Sequence, residues 1–238
     1  MGAALEALVP IGIFLIVGVI FAFVIYSRVH TNKRDGRSDQ QQEELVQFVE
    51  GRGWSYTSSV PGGGDRYCGS APLPITGTDI DVWDYTAGEF RGRNFCCFEY
   101  RTRGTGTDVS DRHWRFYTVF AIEMPTTVPR VSVRRPQAMD KMETRLLGRG
   151  HVVELGIPAF DDEFRVVTDD EPFARAMGGH LAQFLPSDPR AKDAPLQFHG
   201  NELITWYQGR LRPDQINPNM NYLSDVLDHL PVQVWHSA

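Results

Sequence analysis

The sequence predicts an α+β fold: a single domain of antiparallel strands packed with about three helices, behind one membrane-spanning helix. Three observations predict it. Residues Ala7 to Ser27 carry no charged side chain. The middle of the chain alternates apolar and polar residues at the two-residue period of strands, most clearly over 113–124. Helical spacing of apolar residues returns near residues 45, 173 and 222, so helices lie around and after the strands rather than between each pair. A pleckstrin-homology-like half-barrel is one arrangement such strands allow.

In chain order, residues 1–6 form a short extracytoplasmic N-terminus, followed by a span at 7–27 whose 21 residues reach about 31 Å, one bilayer core. The long apolar core lacks a preceding basic region and a small-residue cleavage site, so it reads as an uncleaved anchor. Arg28, Lys33, Arg34 and Arg37 follow at once in a basic juxtamembrane tether, 28–38. Positive charge on that flank places the N-terminus outside and the domain, 39–238, in the cytoplasm, attached to the plasma membrane through Ala7–Ser27. Ser38 is a plausible N-cap for a helix carrying Leu45, Phe48 and Val49, ended by Gly51 and Gly53. A Gly- and Pro-rich loop follows from Pro61. Strands are expected around Ile80–Trp83 and over Phe95–Thr102, then over 113–124, where Trp114, Phe116, Thr118, Phe120, Ile122 and Met124 should face the core. Gly104 and Gly106 lie in the turn that would make those last two a hairpin. Further strands are expected at 130–134, 151–155 and 163–168. Asp170 precedes a helix containing Phe173, Met177, Leu181 and Leu185, weakened midway by Gly178-Gly179. Leu196–Phe198 and Glu202–Tyr207 read as a hairpin about His199-Gly200-Asn201. Asn217-Pro218 opens a last helix whose apolar stripe is Tyr222, Leu223, Val226, Leu227 and Leu230, closed by Pro231.

Charge and cysteine usage narrow the function. The chain carries net −6, and from Ser38 onward net −8, a poor general surface for nucleic acid. Cys68, Cys96 and Cys97 make a poor disulfide framework and suit a reducing compartment. Cys96 and Cys97 sit mid-strand, where a small buried residue is expected rather than a nucleophile. Asp79-Ile80-Asp81 has a spacing some metal sites use, but solvated strand positions explain it better. Pro61–Gly64 lacks the Gly-Lys-Ser/Thr of a phosphate loop. No catalytic residue, cofactor or metal ligand is expected. Two surfaces remain. Asp161, Asp162, Glu163, Asp169 and Asp170 form an acidic patch for a membrane-protein partner. Arg130, Arg134, Arg135 and Lys141 are the basic residues that a lipid headgroup would meet.

An ordered set of motifs adds to this. Arg52-Gly53-Trp54, Arg91-Gly92-Arg93 with Phe95, the run Phe160 to Val166, Glu171-Pro172-Phe173-Ala174, Trp206 to Leu211 and Leu223 to Pro231 follow one another. In combination they resemble small membrane-anchored proteins of unknown function from actinobacteria. The anchor-plus-domain plan is more remotely similar to actinobacterial accessory factors of envelope-lipid transport. The resemblance implies an actinobacterial source and one recurrent domain, and brings no catalytic residues. The expected function is an interaction or accessory module at the membrane's cytoplasmic face, in envelope biogenesis. A lipid- or small-ligand-binding domain is the alternative, and an enzyme of unknown class a third.

Overall fold

The computed structural model describes residues 39–68, 72–73, 79–103, 114–136 and 150–236. The expected span Ala7–Ser27, the tether with Arg28, Lys33, Arg34 and Arg37, the turn at Gly104 and Gly106, and Lys141 lie outside the described residues. Among the described residues no helix is long and apolar enough to cross a membrane. The chain divides into two units, Met1–Gln47 and Phe48–Ala238. Helix α1 (Asp39–Glu50) runs through their junction.

The second unit is built on one antiparallel sheet of seven strands, confirming the α+β class. They are β1 (Ser55–Val60), β2 (Val82–Phe90), β3 (Arg93–Arg103), β4 (Trp114–Arg134), β5 (His151–Val153), β6 (Arg165–Thr168) and β7 (Leu196–Gln208). The order is β1-β2-β3-β4-β6-β5, with β7 also paired to β4. The β2–β3 hairpin turns on Arg91 (φ 50°) and Gly92 (φ 76°), the pair of positive φ values that matches the twist of the flanking strands.

β4 organises the sheet. Its first half pairs with β3 from Trp114 to Ile122, its last residues pair with β6 from Val131 to Arg134, and β7 runs along both halves. Pro125 and Pro129 fall where β3 has ended and β6 has not begun, so their missing donors cost no bond on that side. The β4–β7 register shifts twice there, and Gly200 (φ 61°) lies opposite Val128. Three expectations are thereby corrected. The segment 130–134 is the end of β4, residues 196–207 belong to one strand, and His199-Gly200-Asn201 runs within that strand opposite the extra residues of β4 rather than forming a hairpin turn.

Both faces of the sheet centre are covered. The segment between β1 and β2 lays Tyr67, Leu73 and Ile80 over Val82, Cys96, Phe98, Val119, Ala121 and Ile204. On the opposite face Phe120 and Leu203 are fully buried. The expected core set therefore holds at Thr118, Phe120, Ile122 and Met124, but Val119 and Ala121 are equally buried. Trp114 is 43% exposed, because it lies at the strand's end.

The helices complete the unit. α2 (Pro158–Asp161) is a single turn. α3 (Glu171–Phe184) starts at Asp170, whose carboxylate accepts the Phe173 N–H at 2.9 Å. It runs unbroken through Gly178-Gly179. A Cβ on Gly178 would lie 2.5 Å from Leu155 Cδ1, so that glycine admits the segment after β5. α4 (Pro213–Asp228) begins a turn before the expected Asn217-Pro218, with Pro213 at its start and Pro218 inside. Its stripe, Tyr222, Leu223, Val226 and Leu227, is buried with Ile216 and Met220 against β4 and β7. The chain then turns at Leu230-Pro231 into α5 (Val232–His236).

Candidate functional site

The two surfaces expected from the sequence meet each other. Pairing of β4 with β6 sets Arg134 opposite Arg165 and Val131 opposite Thr168. Arg130 then reaches Asp169 at 2.7 Å and Arg135 reaches Glu163 at 3.1 Å. Asp161 accepts the Leu155 and Ile157 N–H groups at 3.0 and 2.9 Å and so fixes the approach to α2. Its carbonyl oxygen accepts from Arg165. Asp170 caps α3, and Asp162 stands exposed. Arg134 is half-buried. Much of this charge therefore serves local geometry or is matched by its opposite; exposed pairs of this kind contribute about 0–1 kcal/mol each.

A second network joins two of the sequence motifs. Arg91 and Arg93, at the β2–β3 turn, reach Asp225 and Asp228 of α4, both at 2.8 Å. Arg190 bridges Asp188 and Asp225. Burial pushes the Asp225 carboxyl up, but hydrogen bonds from Arg91 and Arg190 outweigh it and hold the group below the usual carboxylate range. Next to it, the Phe184 and His229 rings stack at 4.0 Å. The network clamps the β2–β3 turn to the helix, which gives the Arg-Gly-Arg and Leu-Ser-Asp motifs a structural role.

Under the Gly-rich loop lies a polar cluster that the sequence reading missed. Gly63 and Gly64 admit no Cβ: one on Gly63 would lie 2.8 Å from Val82, and one on Gly64 2.6 Å from Ile80. Asp65 accepts the Ile80 N–H at 2.7 Å, and Asp81 accepts the Gly62 N–H at 3.3 Å. The Asp79–Asp81 pair is thus part of the loop's fastening. It precedes β2, and Asp79 has φ 63°, unlike the strand expected there. The loop holds Tyr67 so that its hydroxyl lies 3.1 Å from Cys96 Sγ and donates to Glu202 at 3.3 Å, while Arg66 donates to the thiol at 3.2 Å. Burial raises the Cys96 thiol above its ordinary pKa and raises Cys97 and Tyr67 well above theirs. At neutral pH both thiols are protonated and poor nucleophiles.

On the opposite face Glu99, fully buried, accepts the Leu211 N–H at 3.0 Å. Its other oxygen faces Arg101 at 3.5 Å and Arg210 at 3.7 Å. Arg101 lies over the Trp83 ring at 4.6 Å and Arg210 over Phe116 at 3.8 Å. The period-2 pattern placed Glu99 away from Cys96 and Phe98, but nothing local marked it as buried. Among the described residues no group of three His, Cys, Asp or Glu side chains converges as a metal site.

A solved structure has a similar fold. It is the mycobacterial trehalose monomycolate transport factor A, TtfA, with TM-score 0.52 and 14% sequence identity, over 82% of this chain and 98% of that one. At that identity the likeness is one of fold. It agrees with the remote architectural similarity to envelope-lipid transport factors seen in the sequence. No family model matches the chain, and no curated protein matches it in sequence.

Proposed function

We propose that this chain is a non-catalytic accessory module of envelope-lipid transport, anchored by Ala7–Ser27 with its domain at the cytoplasmic face of the plasma membrane. The observation that carries the reading is the fold shared with TtfA over 82% of the chain. The raised thiols at Cys96 and Cys97 and the structural roles of Asp81 and Asp161 support a module that positions other components. Its partner in this reading is a membrane protein.

The test is depletion of the chain in its native cell while labelled envelope glycolipids are followed. Accumulation of a precursor glycolipid with loss of its mature outer product is expected; unchanged lipid profiles overturn the proposal. Topology is tested separately with alkaline phosphatase fused to Ala238, for which an active fusion in whole cells would place the domain outside.

A further inference from the structure

The end of the sheet remote from the Arg91–Gly92 turn is rich in basic and aromatic residues, and the Glu99 network lies within it. β3 closes there with Arg101 and Arg103, β4 opens with Trp114, Arg115 and Phe116, and β7 runs out through Gly209 to Arg210 and Arg212. Strand pairing sets them side by side: Arg103 with Trp114, Thr102 with Arg115, Arg101 with Phe116, and Tyr117 with Gln208. These three strand ends carry five arginines against Glu99 and Asp214, net +3 in a chain of net −6. Residues 104–113 add two aspartates and one arginine, which leaves the end basic. The nearby Asp81 and Asp84 bond to Gly62 and Tyr56 on the β1 side. Arg101 and Arg210, stacked on Trp83 and Phe116, form the floor. The Arg212 side chain is 62% exposed and pairs with Asp214 beside it, Nε donating to Oδ1 at 3.0 Å, while Trp114 is 43% exposed and Arg115 is exposed next to it.

We infer that this end docks on the anionic lipid surface of the membrane to which the chain is tethered, through Trp114, Arg115 and Arg212. The inference rests on the anchored reading above. From Ser38 onward the chain is net −8, so an acidic leaflet repels the domain as a whole and attracts this one end. An exposed indole beside arginines suits the headgroup layer, where an amphipathic ring is half wet and cations meet lipid phosphates. Eleven residues separate the anchor from the domain, a length of chain that can span at most about 37 Å. Docking here would leave the β2–β3 turn and its clamp to α4 facing away from the bilayer.

The experiment reconstitutes the full chain in vesicles of brominated phosphatidylcholine, with and without brominated phosphatidylglycerol, and reads quenching of tryptophan fluorescence. Trp114→Phe isolates the Trp114 share. Quenching of that share at least about twofold stronger in anionic vesicles is expected, falling to the neutral-vesicle level in about 0.5 M salt. Arg115→Glu with Arg212→Glu should abolish the difference. Arg212→Gln alone, at an exposed position, should reduce it with far-UV circular dichroism unchanged. Equal quenching in both vesicles, the result if the end serves an acidic protein, overturns the inference, as does a difference that survives charge reversal. Flotation separates the two readings. A chain that floats with neutral vesicles but shows no anionic quenching keeps its anchor and loses this surface. A chain that floats only with anionic vesicles keeps the surface and loses the anchor.

Discussion

Replacing Leu227 with Asp tests how α4 is held to the sheet. Leu227 is 3% exposed within a stripe that includes the fully buried Leu223 and Val226. Its neighbours one turn away, Leu223, Ser224, Leu230 and Pro231, supply no cation to pair a new carboxylate. Removing the buried leucine side chain costs about 3 kcal/mol, as in Leu227→Ala, from lost transfer energy and the cavity left behind. Burying an unpaired polar group there adds roughly as much again. The sum approaches the whole stability of an ordinary domain, about 5–15 kcal/mol. For a unit of this size, Leu227→Ala should lower the melting temperature by roughly 6–12 °C. Leu227→Asp should leave little folded protein. The assay is a thermal melt of the full chain in detergent, followed by near-UV circular dichroism. A melt for Leu227→Asp within a degree or two of the parent would refute the packing argument and make the stripe a free surface.

Five further outcomes are expected. Cys96→Ala with Cys97→Ala should cost about 1–2 kcal/mol per site yet complement a deletion, because neither thiol does chemistry; a folded double variant that fails to complement refutes this. Before that, iodoacetamide at pH 8 should alkylate half-buried Cys68 well ahead of Cys96, whose thiol is held protonated by burial, as peptide mass spectrometry would read. Asp225 titrates lower folded than unfolded, so its contribution is present above the unfolded carboxylate pKa of about 4 and is lost as pH falls through the folded value. Urea unfolding of parent and Asp225→Asn should therefore differ at pH 7 and converge in acid. Gly179→Ala, where a Cβ meets nothing within 4 Å, should stabilise α3 by about 0.5–1 kcal/mol. Gly88→Ala should destabilise by about 1–3 kcal/mol, because its Cβ would stand 2.3 Å from the Trp54 ring.

The readable elements were those whose physics is local. β3 and the first half of β4 showed in their alternation, α3 in the Asp170 cap, and the α4 face in its 3.6-residue stripe. β1, Ser-Tyr-Thr-Ser-Ser-Val, was hidden because an edge strand with mostly exposed side chains needs no apolar face. Gly200 read as a turn and Pro218 as a helix start, but Gly200 lies within β7 opposite the extra residues of β4, and Pro218 is carried inside a helix that tertiary packing holds. The pairing of Arg130 with Asp169 depends on β4 meeting β6, and Tyr67 reaches Glu202 across 135 positions of chain. No spacing rule connects residues so far apart; the sequence offered the charges without their partners.

The β4–β7 ribbon has a consequence for how the chain becomes a structure at all. During synthesis β4 emerges long before Leu196–Gln208, so the strand at the centre of the sheet waits for its longest neighbour until most of the chain has been made. Pairings that span such distances in sequence close slowly, and meanwhile Phe120, Ile122, Val131 and Val133 lie along an open hydrogen-bonding edge. The nascent domain is therefore most prone to aggregation just before β7 appears, and a chain stopped short of Leu196 keeps that edge open.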